Sequence, residues 1–152
     1  MSKLQARNEM VINAPINSVW SVVTDINLLP NINPGVLKAT GRMDKQGETR
    51  TCEFKNGGKV GSMTERLIEL VPESKTVWTV ENDTMGMSKM LKNTRFCFNL
   101  EKLSNDKTKL INESYYEPAN FIAKIMNSLM MKRKMGKIQE QILTNIKSHL
   151  EK

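Results

Sequence analysis

Apolar residues recur at steps of three and four along the C-terminal part of the chain, from about residue 119 to residue 150. That spacing is typical of one face of an α-helix. Pro118 stands just before the stretch, where the missing N–H of a proline sacrifices no hydrogen bond. We therefore predict one helix roughly 45–50 Å long, which needs a broad apolar surface to lie on. Its apolar positions are Ile122, Ile125, Met126, Leu129, Met130, Met131, Met135, Ile138, Ile142, Ile146 and Leu150.

The preceding part of the chain alternates between apolar and polar residues, which is typical of strands with one buried face. A first strand at 4–13 is followed by a short helix from Pro15 and a second helical turn at 25–29, which Asp25 caps. Further strands are predicted at about 36–43, 48–56, 59–71, 76–80, 95–101 and 107–117, with an irregular segment at 82–90.

The turns between these strands indicate how the strands pair. Asn56-Gly57-Gly58 stands between two strand-like runs and is a strong hairpin signal. Consecutive hairpins form an antiparallel sheet, and a twisted sheet of this width can wrap around one long helix. We therefore expect an α+β fold in which six to seven antiparallel strands curve around the C-terminal helix, with two short helices after the first strand. The absence of repeats and linkers favours a single domain spanning residues 1–152.

The composition is that of a soluble globular protein, with 39% hydrophobic and 26% charged residues. No apolar run approaches the roughly 20 residues that a membrane-spanning helix needs, and the N-terminus lacks the apolar run of a signal peptide. Cys52 and Cys97 match no metal-binding spacing, which favours two reduced thiols in the cytoplasm. The net charge of +7 permits contact with nucleic acid, ribosomes or anionic lipid, although the basic cluster at 132–134 also fits an ordinary solvated helix face.

Few residues offer catalytic chemistry. His149, the single histidine, lies at the end of the predicted helix, so neither a Ser-His-Asp nor a Cys-His arrangement is expected. The usual zinc ligands and phosphate-binding glycine motifs are missing too. We therefore expect no metal, no cofactor and no catalytic residue set. Charged residues inside strands mostly point to water, and the ones that could instead orient a ligand are Arg50, Glu53, Glu65, Arg66, Glu69, Arg95 and Glu113.

A set of short motifs spans nearly the whole chain: INAPINSVW at 12–20, Thr24-Asp25, Leu29-Pro30, PGV at 34–36, Gly58, ELVP at 69–72, Phe96, Phe98, Leu100 and Thr108. Together with the long terminal helix, this pattern resembles the polyketide cyclase/START-like superfamily, the Bet v 1-like helix-grip proteins. The resemblance implies the helix-grip fold and a hydrophobic cavity between the sheet and the long helix. Such cavities mostly bind lipids, isoprenoids or aromatic polyketides, and no catalytic residue set is shared across the superfamily.

Aromatic and methionine side chains are the candidates for lining such a cavity. Methionine suits pockets that accept several apolar shapes, so the three methionines of 82–90 favour a mobile entrance beside the helix, while core filling explains them as well. Arg95 begins the strand of two phenylalanines and is the charged residue favoured at the rim. Tyr115 and Tyr116 occupy opposite faces of one strand, so one of them should point inward. The candidate ligand-binding residues are Trp78, Met85, Met87, Met90, Arg95, Phe96, Phe98, Tyr115, Phe121, Ile122, Met126 and Met130.

The function favoured at this point is the binding, or carrying, of a hydrophobic small molecule in the cytoplasm. Two alternatives belong to other classes. A polyketide cyclase or dehydratase would need polar residues inside the cavity. A ribosome- or chaperone-associated interaction protein is supported only by the net charge of +7. We expect no DNA binding and no stable membrane insertion, and a homodimer remains an open alternative.

Overall fold

The computed structural model describes residues 2–56 and 58–152. The first part comprises β1 (Lys3–Ile12), α1 (Ile16–Val23), a 3₁₀ turn (Ile26–Leu28) and α2 (Leu29–Ile32). The middle part comprises β2 (Val36–Gly41), β3 (Thr49–Asn56), β4 (Lys59–Val71), β5 (Lys75–Asp83), α3 (Met87–Met90), β6 (Leu91–Ser104) and β7 (Lys107–Pro118). The last part comprises α4 (Phe121–Met126), a π-helical segment (Asn127–Met131) and α5 (Lys132–Leu150). No helix among the described residues combines the length and the apolar composition needed to cross a membrane.

The seven strands form one antiparallel sheet in the order β1-β7-β6-β5-β4-β3-β2. Consecutive strands are neighbours from β2 to β7, and β1 closes the far edge by pairing with β7. Register shifts interrupt several pairs, including β4 with β5, and such bulges bend a sheet and increase its twist. The curved sheet wraps α5, which packs on β1 and β7 and also contacts α1 and α2. The helix-grip α+β fold expected from the sequence is confirmed.

The main core lies where the C-terminal half of α5 meets α1 and one end of the sheet. Its side chains occupy the periodic apolar positions of their elements, so burial follows the sequence pattern. Thr108 is fully buried within it, and its hydroxyl donates a hydrogen bond of 2.9 Å to the Ala14 carbonyl. The buried apolar residues of this core are Ile12, Ala14, Val19, Val22, Val23, Ile32, Leu100, Leu110, Ile142, Leu143 and Ile146.

The first part of the C-terminal helix departs from the prediction of one regular helix with its apolar face inward. Its side facing the protein carries Ala123 and Asn127, both buried. The Asn127 amide accepts a hydrogen bond from the Tyr116 hydroxyl and donates one of 3.1 Å to Gln5 Oε1. This polar anchor turns the apolar residues of α4 and of the π-helical segment outward. The exposed ones are Phe121, Ile122, Ile125, Leu129 and Met130.

Local boundaries differ from the predicted ones mainly around the irregular segment. β5 continues to Asp83 and β6 already begins at Leu91. Both strands keep pairing with a neighbouring strand beyond the stretch in which apolar and polar residues alternate. The predicted cap at Asp25 is confirmed, since the Asn27 N–H donates to its carboxylate at 2.9 Å. At the predicted hairpin, β3 and β4 pair antiparallel on either side of Gly57, which itself lies outside the described residues.

Two glycines with positive φ allow a matched test of the backbone. Gly41 has φ of +121° and a Cβ there would lie 2.4 Å from the Thr49 carbonyl oxygen, whereas Gly58, with φ of +88°, has open space around it. We predict that Gly58→Ala lowers the free energy of unfolding by about 1 kcal/mol through the strained φ. Gly41→Ala should lower it by about 1–3 kcal/mol more, because the backbone must also shift. Urea denaturation measures both losses, and equal values would contradict the close approach at Gly41.

Candidate functional site

A cavity of about 440 Å³ lies between the sheet and α5. Strands β3, β4, β6 and β7 form its floor. The α2–β2 connection and the side chains of Met85 and Met87 form its sides. The exposed Lys55 and Lys134 line it as well and mark its rim. Its apolar lining consists of Val23, Leu29, Ile32, Pro34, Val36, Cys52, Phe54, Met63, Met85, Met87, Phe96, Phe98, Met135, Ile138, Ile142 and Ile146.

The lining follows the periodicity of each element. Arg50, Cys52 and Phe54 share one side of β3, as the two-residue repeat of a strand requires. On α5 the lining residues recur at helical steps from Met135 to Ile146. A continuous apolar surface therefore results from ordinary strand and helix patterns, and the exceptions within it are polar residues.

The principal exception is an ion pair between Arg50 and Glu65. These residues are cross-strand partners on β3 and β4, and Arg50 Nε lies 3.0 Å from Glu65 Oε1. Their side chains are only 11% and 4% exposed. The Arg50 guanidinium also lies 3.9 Å from the centroid of the Trp78 ring and faces the Met43 sulfur. Each charge is stabilised by the other, and removing one would leave its partner buried without compensation, which is strongly destabilising.

Neutral polar groups occupy the wall formed by β7 and α5. Gln139 Nε2 donates to Ser114 Oγ at 2.8 Å and to the Ala6 carbonyl at 3.1 Å, and its Oε1 accepts from Asn8 Nδ2 at 3.0 Å. These bonds satisfy the Gln139 amide and tie α5 to β1 and β7. Asn112, which is 5% exposed, adds a second side-chain amide to the cavity lining.

The one thiol in the lining, that of Cys52, is a poor nucleophile. Burial raises the pKa of Cys52 to about 11, against the opposing effect of the neighbouring Arg50 charge. At neutral pH the group is therefore the protonated thiol, and only the thiolate is an effective nucleophile. Cys52 contributes to the cavity as a small apolar side chain rather than as a reactive group.

The segment that carries two of the lining methionines is held by one carboxylate. Asp83 accepts hydrogen bonds from the backbone N–H groups of Met85 (2.9 Å), Met87 (3.0 Å) and Ser88 (2.9 Å), and from the Ser88 hydroxyl. Partial burial raises the pKa of Asp83, but the bonds from Ser88, Met87 and Met85 together outweigh it and lower the pKa below its usual value. Asp83 thus fixes this edge of the cavity.

Four of the predicted ligand-binding residues line the cavity, namely Met85, Met87, Phe96 and Phe98. Trp78 lies behind the lining, buried under the Arg50 guanidinium. Arg95 and its cross-strand partner Tyr115 are not part of the lining, since strand alternation turns them to the face opposite Phe96. Tyr116 is the tyrosine that points inward, and its hydroxyl bonds to the helix instead of facing the cavity.

The start of the C-terminal helix does not reach the cavity either. Among α5 residues the lining begins at Lys134, and Met90 of α3 also lies outside it. The cause is the Asn127 anchor, which turns the apolar face of α4 away from the sheet. The predicted ligand-binding residues of this region therefore lie outside the lining, and their role in ligand binding stays a prediction. They are Phe121, Ile122, Met126 and Met130.

From the sequence, Arg50 and Glu65 belong to the strand charges that mostly face water, with the alternative that they orient a ligand. Their positions carried a usable signal, because Arg50 shares its parity with Cys52 and Phe54, and Glu65 shares its parity with Met63. A charge on the apolar side of a strand, opposite a residue of unlike charge, indicates an internal ion pair. The alternation alone does not show that these two residues are cross-strand partners, because that depends on the register of β3 against β4.

The Asp83 contacts predict a pH-dependent contribution to stability. Because its pKa is lowered in the folded state, the contribution is present above the unfolded pKa, near 4, and is lost as the pH falls through the folded pKa. We predict that Asp83→Ala lowers the free energy of unfolding by about 1 kcal/mol at about pH 7 and by less at about pH 3. The control is Asp106→Ala, in the exposed β6–β7 turn. A loss that is independent of pH, or shared by the control, would contradict the role of the carboxylate.

Comparison with known proteins agrees with the fold. A family described as polyketide cyclase/dehydrase and lipid transport matches residues 3–151. Among solved structures, the Zhui aromatase/cyclase from a Streptomyces species is 15% identical with a TM-score of 0.79, over 99% of this chain and 94% of that one. A major latex-like protein from Panax ginseng is 12% identical, with a TM-score of 0.77 over 98% and 97% of the two chains. A START superfamily protein from Mycobacterium smegmatis is 14% identical, with a TM-score of 0.74 over 96% of each chain.

The structural likenesses are at low sequence identity, so they bear on the fold alone. No curated protein matches the chain significantly. The family match is of a different kind, because it is made on the sequence and extends from the first strand to the end of α5. The chain therefore belongs to the family of polyketide cyclases, dehydrases and lipid-transport proteins.

Proposed function

We propose that the chain binds a mostly apolar small molecule with one polar group, in the cavity between the sheet and α5. The observation that carries the proposal is an apolar cavity of about 440 Å³ whose floor contains one buried ion pair. This volume falls in the range of roughly 300–1,000 Å³ that small-molecule pockets span. The proposed setting is the cytoplasm, as the reduced-thiol interpretation of Cys52 and Cys97 suggests.

The apolar lining supports a hydrophobic ligand. Water gains few hydrogen bonds in a space walled mainly by aliphatic, aromatic and methionine side chains, so a ligand that displaces it is favoured. Each Å² of apolar ligand surface removed from water contributes about 25 cal/mol to binding. Phe54, Phe96 and Phe98 lie on the sheet side and suit an aromatic or isoprenoid ligand.

The Arg50 guanidinium supports a polar group on that ligand. It carries five N–H donors, of which Nε donates to Glu65 while one terminal nitrogen faces only the Met43 sulfur, a weak acceptor 3.9 Å away. Donors therefore remain for a carbonyl or hydroxyl oxygen. The Asn112 amide is a second group that such an oxygen could meet.

The same polar groups favour a second candidate, a cyclase or dehydratase that acts on an aromatic polyketide. A guanidinium beside the cavity could polarise a substrate carbonyl, and Glu65 could exchange a proton if the ion pair opened. In the structure Glu65 is held by Arg50, so binding without chemistry is the primary proposal. Turnover of a polyketide substrate that is lost in Glu65→Gln, while probe binding by that variant is retained, would favour the enzyme instead.

A test of the cavity uses two substitutions of the same kind on the C-terminal helix. We predict that the protein binds a fluorescent naphthalene-type probe with micromolar affinity, on the order of −8 kcal/mol. Ile138→Trp should weaken that binding at least roughly tenfold, because the new ring occupies ligand volume. Ile125→Trp should leave it unchanged, since Ile125 is exposed and outside the lining. Fluorescence titration measures both affinities. No binding at saturating protein, or equal loss in both variants, would sink the proposal.

A second test addresses the polar group. We predict that the protein binds naphthol roughly tenfold more tightly than naphthalene, the effect of about 1.5 kcal/mol of hydrogen bonding to a charged group. The double variant Arg50→Met/Glu65→Met should lose this preference while it still binds naphthalene. The matched control Arg66→Met/Glu81→Met removes an exposed cross-strand ion pair and should keep the preference. Titration calorimetry provides the affinities. A preference retained without Arg50 and Glu65 would assign the polar contact to another residue.

A further inference from the structure

The first part of the C-terminal helix displays a continuous apolar face to solvent. Its members are spaced one, three and four residues apart, so they share one side of α4 and the π-helical segment. Phe121 and Ile122 are 75% and 70% exposed, and Leu129 is 67% exposed. We call this face the α4 patch, and its residues are Phe121, Ile122, Ile125, Leu129 and Met130.

The orientation of the α4 patch is imposed by specific contacts on the opposite side of the helix. Ala123 is fully buried, and Asn127 bonds to Tyr116 and to Gln5. Asn120 caps the helix by accepting a hydrogen bond of 2.8 Å from the Ala123 N–H. These contacts hold the side of the helix that carries Ala123 and Asn127 against the protein. The exposure of the patch is therefore built into the fold and does not result from a frayed helix end.

Between Glu117 and Glu140 the helical region that carries the patch has charges of a single sign. Residues 118–139 include five basic residues and no acidic one. The basic residues are Lys124, Lys132, Arg133, Lys134 and Lys137, and all five are exposed. A helix that pairs large apolar side chains with lysine and arginine is the typical form of a segment that lies in the interface of an anionic bilayer.

We propose that the α4 patch docks the protein on an anionic membrane surface, with its apolar side chains in the headgroup region and the neighbouring basic residues against lipid phosphates and carboxylates. This interaction goes beyond the proposed binding of a small molecule and does not depend on it. A nucleic-acid partner would use the basic residues but would leave the five apolar side chains unexplained. A bilayer accounts for both features, because burial of apolar area and attraction to anionic lipid add together.

The position of the patch connects it to the cavity. The Ala119 N–H, just before α4, donates a hydrogen bond of 2.8 Å to the Met90 carbonyl, so the helix starts beside the segment that carries Met87. At the other end of the patch, Lys134 follows Met130 by four residues and lines the cavity rim. A protein docked through the α4 patch would hold the cavity rim close to the bilayer.

The test measures co-sedimentation with vesicles of phosphatidylcholine alone and of an equimolar mixture of phosphatidylcholine and phosphatidylserine. We expect binding to the mixed vesicles that weakens as salt is added. Lys132→Gln/Arg133→Gln should weaken binding to the mixed vesicles roughly twenty-five-fold, because each positive charge near an anionic surface contributes about fivefold. Ile122→Ser/Leu129→Ser should reduce it at least roughly tenfold through lost apolar burial.

Matched controls carry the same kinds of change at the opposite end of the sheet, near the β4–β5 and β6–β7 turns. They are Lys102→Gln/Lys107→Gln and Val71→Ser/Leu103→Ser, which alter exposed basic and exposed apolar residues. Both controls should bind vesicles as the unmodified protein does. Equal losses in the controls, or no binding to mixed vesicles, would overturn the proposal. A dimer in size-exclusion chromatography that Ile122→Ser/Leu129→Ser dissociates would overturn it too, because the patch would then be covered by a second copy. Probe binding in the cavity is measured separately without vesicles, so the two proposals can fail independently.

Discussion

A sheet that is wider than the helix it wraps is the constraint on which the rest of this structure depends. Seven strands spaced about 4.8 Å apart span roughly 29 Å, whereas a helix with its side chains is only about 10–12 Å across. The C-terminal half of α5 fills its share of the concave face together with α1, and this is where the main core lies. Beside this core the concave face is not filled, and the space between α5 and strands β3, β4, β6 and β7 remains open as the cavity.

The interior of that cavity combines apolar walls with a pair of charged side chains, and the two have opposite preferences for water. Apolar walls favour a hydrophobic ligand, while the Arg50–Glu65 pair places two charges where water is scarce. The pair is tolerated because each charge has the other at hydrogen-bond distance and because the Trp78 ring covers the guanidinium. Polar residues elsewhere in the wall follow the same rule. Gln139 has three hydrogen-bond partners, and these bonds also fix the position of α5 on the sheet.

The same rule of polar satisfaction explains the inverted first part of the C-terminal helix. Asn127 is buried with partners for both ends of its amide, and turning α4 to bury its apolar face would expose those partners or leave them unpaired. The hydrophobic effect alone would favour the opposite orientation. The small side chain of Ala123 lets the helix approach the sheet closely on the side that carries Asn127. Side-chain hydrogen bonds thus fix the orientation of α4, at Asn127, and one edge of the cavity, at Asp83.

The sequence by itself determined the elements and which of their faces are apolar, because helices and strands repeat with fixed and different periods. The antiparallel pairing of consecutive strands, the helix-grip architecture, the Asp25 cap and the lining positions Phe96 and Phe98 follow from those periods, from residue types at the turns and caps, and from the resemblance. Only the tertiary structure decided what each face meets. A period cannot show that Arg50 opposes Glu65, since that depends on strand register. Nor can it show that the apolar face of α4 points outward, since that depends on a bond between Asn127 and Tyr116, which come from different elements.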